Sequence, residues 1–230
     1  ASIDWGDGSP PVPGTVNRVT RTVTGVHVYA EDGTYNVTVT VEDDNGARGS
    51  NSFSVTVHNS APTVTASVDQ PSLPEGNTVQ LSPSVFNDRG SLDTHTATVN
   101  WGDGTGVQSA SLFERPFGPP GSTAGANGSV FGSHVYADEG SYPVTICVRD
   151  NDGANGCDTT FVNVNNVSPI VFGGRDKSVR EGETATISLT TFVDAGSADS
   201  HQATINWGDG TSSAGLVTEA PFGPPGSISG

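Results

Sequence analysis

Hydrophobic residues fall at every second position in several stretches of the chain. Tyr35, Val37, Val39 and Val41 alternate with Asn36, Thr38 and Thr40; further on, Tyr142, Val144, Ile146 and Val148 alternate with Pro143, Thr145 and Cys147. A period of two predicts strands with one face on a core and the other in water. The next strands are predicted to turn Phe53, Val55 and Val57 inward, and correspondingly Thr160, Val162 and Val164. Between them lie DDNG at 43–46 and DNDG at 150–153, which are hairpin turns by composition. Ala97, Val99 and Trp101 continue the alternation elsewhere, and no stretch sustains a helical period.

The pattern is also repeated on a larger scale. WGDG occurs at 5–8, 101–104 and 207–210; HVYAEDGTYNVTVTVEDDNG from His27 returns as HVYADEGSYPVTICVRDNDG from His134. FNDRGSLDTHTATVNWGDG from Phe86 returns as FVDAGSADSHQATINWGDG from Phe192. A unit of roughly a hundred residues with several short strands predicts an all-β chain of tandem immunoglobulin-like β-sandwiches. The repeat is far too long for a solenoid. Residues 1–58 read as the C-terminal part of one unit, 61–164 as a complete unit and 168–230 as the N-terminal part of a third. The chain is thus expected to be a window on a longer array. Completion of the two partial units by neighbouring chains would duplicate a strand, because both carry WGDG.

Composition narrows the function. Nine Lys plus Arg stand against 25 Asp plus Glu, a net charge of −16, with Lys177 the only lysine. Nucleic acids and anionic membranes are poor partners for such a surface. No run approaches a membrane span, and the chain opens on the turn-forming ASIDWGDG rather than on a signal peptide. G-x-S-x-G, HExxH, P-loop and zinc-spaced Cys/His motifs are all missing, so no enzyme is expected.

Calcium is the one cofactor the acidic loops suggest. Loops of such a sandwich cluster at its two ends. One end of the middle unit would gather Asn59, Asp88, Asp93, Asp150 and Asp152; the other would gather Glu75, Asp103, Asp138 and Glu139. The next unit would present Asn166, Asp194 and Asp199 towards that second group. Oxygen-rich clusters of this kind suit Ca²⁺; solvated acidic turns are the alternative. His27 and His134 invite a metal reading, against which stands a packed, hydrogen-bonded histidine beside the tryptophan.

The cysteines fix a register. If Cys147 and Cys157 face each other, Val148 pairs with Gly156 and Arg149 with Asn155, leaving the loop Asn151-Asp152-Gly153. A cross-strand disulfide follows, implying an oxidising compartment; two reduced thiols are the alternative. Sequons stand at Asn36, Asn127 and Asn166, with Asn127 assigned to the long glycine-rich loop.

WGDG, then H-x-Y-x-x-x-G-x-Y-x-V-T, then D-x-x-G, resembles the polycystic-kidney-disease (PKD) repeat. The residues are Trp101 to Gly104, His134, Tyr136, Gly140, Tyr142, Val144, Thr145, Asp150 and Gly153, and in the first unit Trp5 to Gly8, His27, Tyr29, Gly33, Tyr35, Val37, Thr38, Asp43 and Gly46. Trp207 begins the third copy. The two Tyr pairs and the three tryptophans are expected to be core anchors. The variant here looks most like the tandem PKD repeats of large bacterial surface and secreted proteins. The resemblance implies an extracellular β-sandwich. It would be a structural module of a filament, fibre or stalk, with further copies or repeats as partners. An adhesion module for a glycan or protein, built on the PFGPPGS loops at 116–122 and 221–227, is the alternative, as is an accessory domain of a secreted hydrolase.

Overall fold

The computed structural model describes residues 1–115, 124–188 and 190–219, which form strands and turns and no helix. The PFGPPGS segments lie outside the described residues. Strands of the middle unit follow one another in the spatial order Thr63–Thr65, Ser84–Asp88, Ala126–Phe131, Val107–Glu114, His95–Asn100, Gly140–Asp150, Asn155–Asn165, Ser72–Pro74. All pair antiparallel except the last two, which are parallel.

One strand belongs to both layers. Val107–Glu114 pairs through residues 107–110 with Ala97–Asn100, then through 111–114 with Gly128–Phe131. A strand that changes sheets in this way folds one hydrogen-bonded ladder into two facing layers. Between them lie Leu73, Val79, Leu81, Phe86, Val99, Trp101, Val130, Tyr136, Val144, Ile146, Val148 and Val162, all at most 3% exposed. The period-two positions of Gly140–Asp150 face this core as their alternation predicts.

The hairpin register is the one the cysteines impose. Cys147 stands opposite Cys157, Val148 opposite Gly156 and Arg149 opposite Asn155, and the two sulfurs are bonded. Gly156 is required by a close approach: a Cβ there would come within 1.8 Å of the Pro62 carbonyl oxygen. Reduction, or Cys147→Ser with Cys157→Ser, is expected to lower the unfolding free energy of the middle unit by about 2–3 kcal/mol. Urea unfolding monitored by tryptophan fluorescence measures it. The first unit has Thr40 opposite Ser50 at these positions and should be unaffected.

The flanking units are open. In the first, Val12–Pro13, Ser2–Asp4, Gly33–Glu42 and Arg48–Val57 make one antiparallel sheet, with a small hairpin of Thr15–Asn17 and Thr22–Thr24 beside it. Phe53, expected to point into a core, is 54% exposed, because no strands among the described residues cover that part of the sheet. Among its described residues the third unit has two strand pairs, Ile170–Phe172 with Thr191–Val193 and Ala203–Asn206 with Ser212–Gly215. Trp207, expected as an anchor, is 39% exposed for the same reason and donates its indole N–H to Ser213. Asn127 lies on the strand Ala126–Phe131, not in a loop, and its side chain pairs with that of Asn87. Asn36 is exposed on a strand, and Asn166 is exposed in the linker after Asn165.

Candidate functional site: the acidic junctions

The repeated motifs build a bracket in the first and middle units. Gly102 has φ 83°, and a Cβ there would meet the Pro143 backbone oxygen at 2.6 Å, so the turn after Trp101 needs glycine. Asp103 turns one oxygen to the backbone and hydroxyl of Thr105 and the other to His134 Nε2 at 2.7 Å. His134 stacks on Trp101 with centroids 5.0 Å apart, and Tyr136 meets its edge. The Tyr136 hydroxyl donates to the Trp101 carbonyl, and that of Tyr142 to those of Asp138 and Glu139. The first unit repeats this with Trp5, Asp7, His27, Tyr29 and Tyr35. These histidines are packing and hydrogen-bonding groups. Asp103 is thereby used up inside its own unit and does not join the acidic group at the junction, contrary to expectation.

Other carboxylates do gather where consecutive units meet. At the first junction Asp88, Asp93 and Asp150 are all buried, with one oxygen from each within 4.8 Å of the others; Glu31, Asp93 and Asp152 form an overlapping group. Asn59 is there too, but it donates its amide to Asp150 at 2.9 Å. At the second junction Glu75, Asp138, Glu139 and Asp199 lie within 4.8 Å of one another, and Asp194 and Asp199 group with His201. The two junctions share a framework. The Leu92 N–H donates to the Ala30 carbonyl, and the Ala198 N–H to the Ala137 carbonyl, the same bond at equivalent repeat positions.

Electrostatics at the first junction are strongly biased. Burial, then the charges of Glu31, Asp88, Asp150 and Asp152, push the Asp93 carboxyl up to about 7. Burial and Asp152 push Glu31 up as well. Burial opposes ionisation of Asp150 too, but hydrogen bonds from Asn59 and the hairpin backbone outweigh it and hold its carboxyl low. In chelator, folded Asp93 keeps its proton up to about pH 7, whereas the unfolded group, at 3.8, does not. Folding therefore takes up a proton between these values, and stability falls as pH rises from about 4 to about 7. Thermal melting across this range should show the decline, and Asp93→Asn should flatten it.

Three further participants have only weak signals in the sequence. Glu31 belongs to the first unit, and its one signal was its repeat equivalence to Asp138. His95 is wholly buried between Asp88 at 3.3 Å and Glu114 at 2.9 Å, against the ring of Phe86. His201 repeats the arrangement with Asp194, Glu219 and Phe192. The D-T-H and D-S-H triplets carried that signal. His201 is pushed up by its hydrogen bonds to the two carboxylates.

Sandwich units with a structural bracket inside and acidic loops between them define a class, the tandem immunoglobulin-like β-sandwich array. Its family is established by sequence: the PKD domain model matches residues 2–57 and 59–164, and the chain belongs to the PKD domain family. Such domains are typically structural or adhesion-type modules outside the cell rather than catalysts. Among the described residues no helix is long and apolar enough to cross a membrane. No curated protein matches the sequence significantly. Among solved structures, the chain is similar to Clostridium thermocellum CbhA fibronectin(III)-like modules, at 15% identity over 71% of this chain and 77% of that one, with a TM-score of 0.31. It is also similar to the protocadherin GammaB4 extracellular domain, at 12% identity over 84% of this chain and 31% of that one, with a TM-score of 0.29.

Proposed function

We propose that the chain is a structural segment of an extracellular filament, fibre or stalk, in which PKD units are stacked end to end and carry load. The observation that carries this reading is the repetition of the junction itself. One backbone hydrogen bond recurs at Leu92–Ala30 and at Ala198–Ala137, so each unit is set on its neighbour by the same contact. A contact that repeats with the sequence propagates a constant geometry along an array of any length. The linkers are short and run into Pro62 and Pro169, which restricts bending. Total accessible surface is 14573 Å², whereas a compact 23.4 kDa monomer would expose about 9,700 Å². Part of that excess is the uncovered sheets of the flanking units, with Phe53 54% and Trp207 39% exposed, and it supports an extended chain around one cored middle unit over one globule.

Single-molecule stretching tests the mechanical role. Pulled from its two ends, the chain should show a resolved force peak as residues 61–164 unravel, with release of roughly 300 Å of chain. Addition of reductant should lengthen that release, because the disulfide no longer shortcuts the loop between Cys147 and Cys157. Extension without a resolved peak would rule out load-bearing.

A further inference from the structure

Glu75 is a poorly accommodated charged group. It is 1% exposed. One carboxylate oxygen accepts the Val167 N–H across the linker, and the other, Oε2, is buried with no partner. A carboxylate oxygen left in this condition is costly, since burial removes its water and nothing replaces it. Glu75 is held there by its own backbone: its N–H donates to the Asn165 carbonyl, and the following Gly76 N–H donates to the Tyr136 carbonyl. The strand Ser72–Pro74 that leads into it pairs with the end of the strand Asn155–Asn165. The position is therefore set by the sheet and not by a loose side chain.

Around it stand three more carboxylates. Asp138 and Glu139 come from the loop before the strand Gly140–Asp150, and Asp199 comes from the third unit. Among the described residues, no lysine, arginine or histidine makes an ion pair with any of the four. The third unit is seated by the Ala198 N–H on the Ala137 carbonyl, and Gly76 lies close against Ala195, where a Cβ would come within 3.1 Å of the alanine Cβ. Two Ca–O bonds end to end span about 4.6–5.2 Å. Four oxygens no more than 4.8 Å apart thus fit around one such ion, whereas Mg²⁺ needs a tighter octahedron.

We propose that Glu75, Asp138, Glu139 and Asp199 bind one Ca²⁺ ion between the middle and third units, with Glu75 Oε2 as its buried ligand, so that the cation clamps consecutive repeats. This rests on the end-to-end reading above, since Asp199 reaches the site only if the third unit docks there. Its effect is to make the stiffness of the array depend on external calcium.

The test uses the whole chain, stripped with chelator and titrated with CaCl2 by calorimetry and by amide NMR. Binding should shift the Val167 and Ala198 amide signals and raise the melting temperature. MgCl2 at equal concentration should do neither. Glu75→Gln keeps an oxygen for the Val167 N–H and should weaken this binding by roughly tenfold or more. Asp138→Asn with Glu139→Gln alters only exposed side chains and should weaken it comparably while the cation-free fold stays intact. Three results would each overturn the proposal. The first is no change at Val167 and Ala198 up to millimolar Ca²⁺. The second is an equal response to Mg²⁺. The third is unaltered affinity in both variants. A chain that is elongated but indifferent to Ca²⁺ leaves the structural reading intact and removes only the clamp; a compact chain that binds Ca²⁺ elsewhere removes both.

Discussion

Trp101→Ala is expected to lower the unfolding free energy of the middle unit by about 3–5 kcal/mol, enough to leave it largely unfolded at ordinary temperature. Trp101 is 1% exposed at the centre of the core. Its loss removes the largest buried side chain and the surface on which His134 stacks. His134 in turn holds Asp103, which ties down the turn at Thr105, and Tyr136 anchors to the Trp101 backbone. Cavity and bracket fail together. Trp207→Ala is the matched control: that side chain is 39% exposed and packs no comparable core. Its replacement should cost no more than about 1 kcal/mol. Circular dichroism and fluorescence-detected urea unfolding of both variants would show it, and equal effects at the two positions would contradict this account of the core.

His95→Ala should be nearly as damaging, at about 3–5 kcal/mol. The ring has no exposed side-chain surface and contacts Asp88, whose side chain is equally buried, and Glu114. Removing the imidazole strands the Asp88 carboxylate in the interior, where the Gly90 N–H remains as a donor to it. Asp88→Asn in the same chain should recover part of the loss, because the stranded charge is then gone. His201→Ala, at the repeat position in the third unit, should cost less. Its side chain is 15% exposed, so water can reach the carboxylates left behind. Chemical denaturation of the single and double variants measures the coupling directly.

Local regularity makes much of this fold legible in the sequence. Alternation at Tyr142, Val144, Ile146 and Val148 identified the core face, because a strand's two faces differ by parity alone. Gly153 and the cysteine spacing set the hairpin register, since a three-residue loop leaves one choice of partner for Cys147. What parity could not supply was the covering layer. Phe53 and Trp207 sit at core positions of the pattern, yet burial depends on strands from elsewhere in the unit. The acidic groups show the same division. Asp88, Asp93 and Asp150 share an end of the sandwich by topology, so loop position alone brought them together. Asp103 is drawn away from the junction by His134, which lies far from it in sequence, so only the folded turn reveals the contact. Glu31 could be found only by asking how one unit rests on the next.

The central claim, successive repeat units set end to end rather than folded into one globule, is tested most directly by small-angle X-ray scattering of the chain in dilute solution. A single compact globule of 230 residues would have a radius of gyration of about 17 Å. The account predicts a clearly larger value, with a pair-distance distribution skewed to long distances and a long tail. A symmetric distribution with a radius near that of the globule would contradict it.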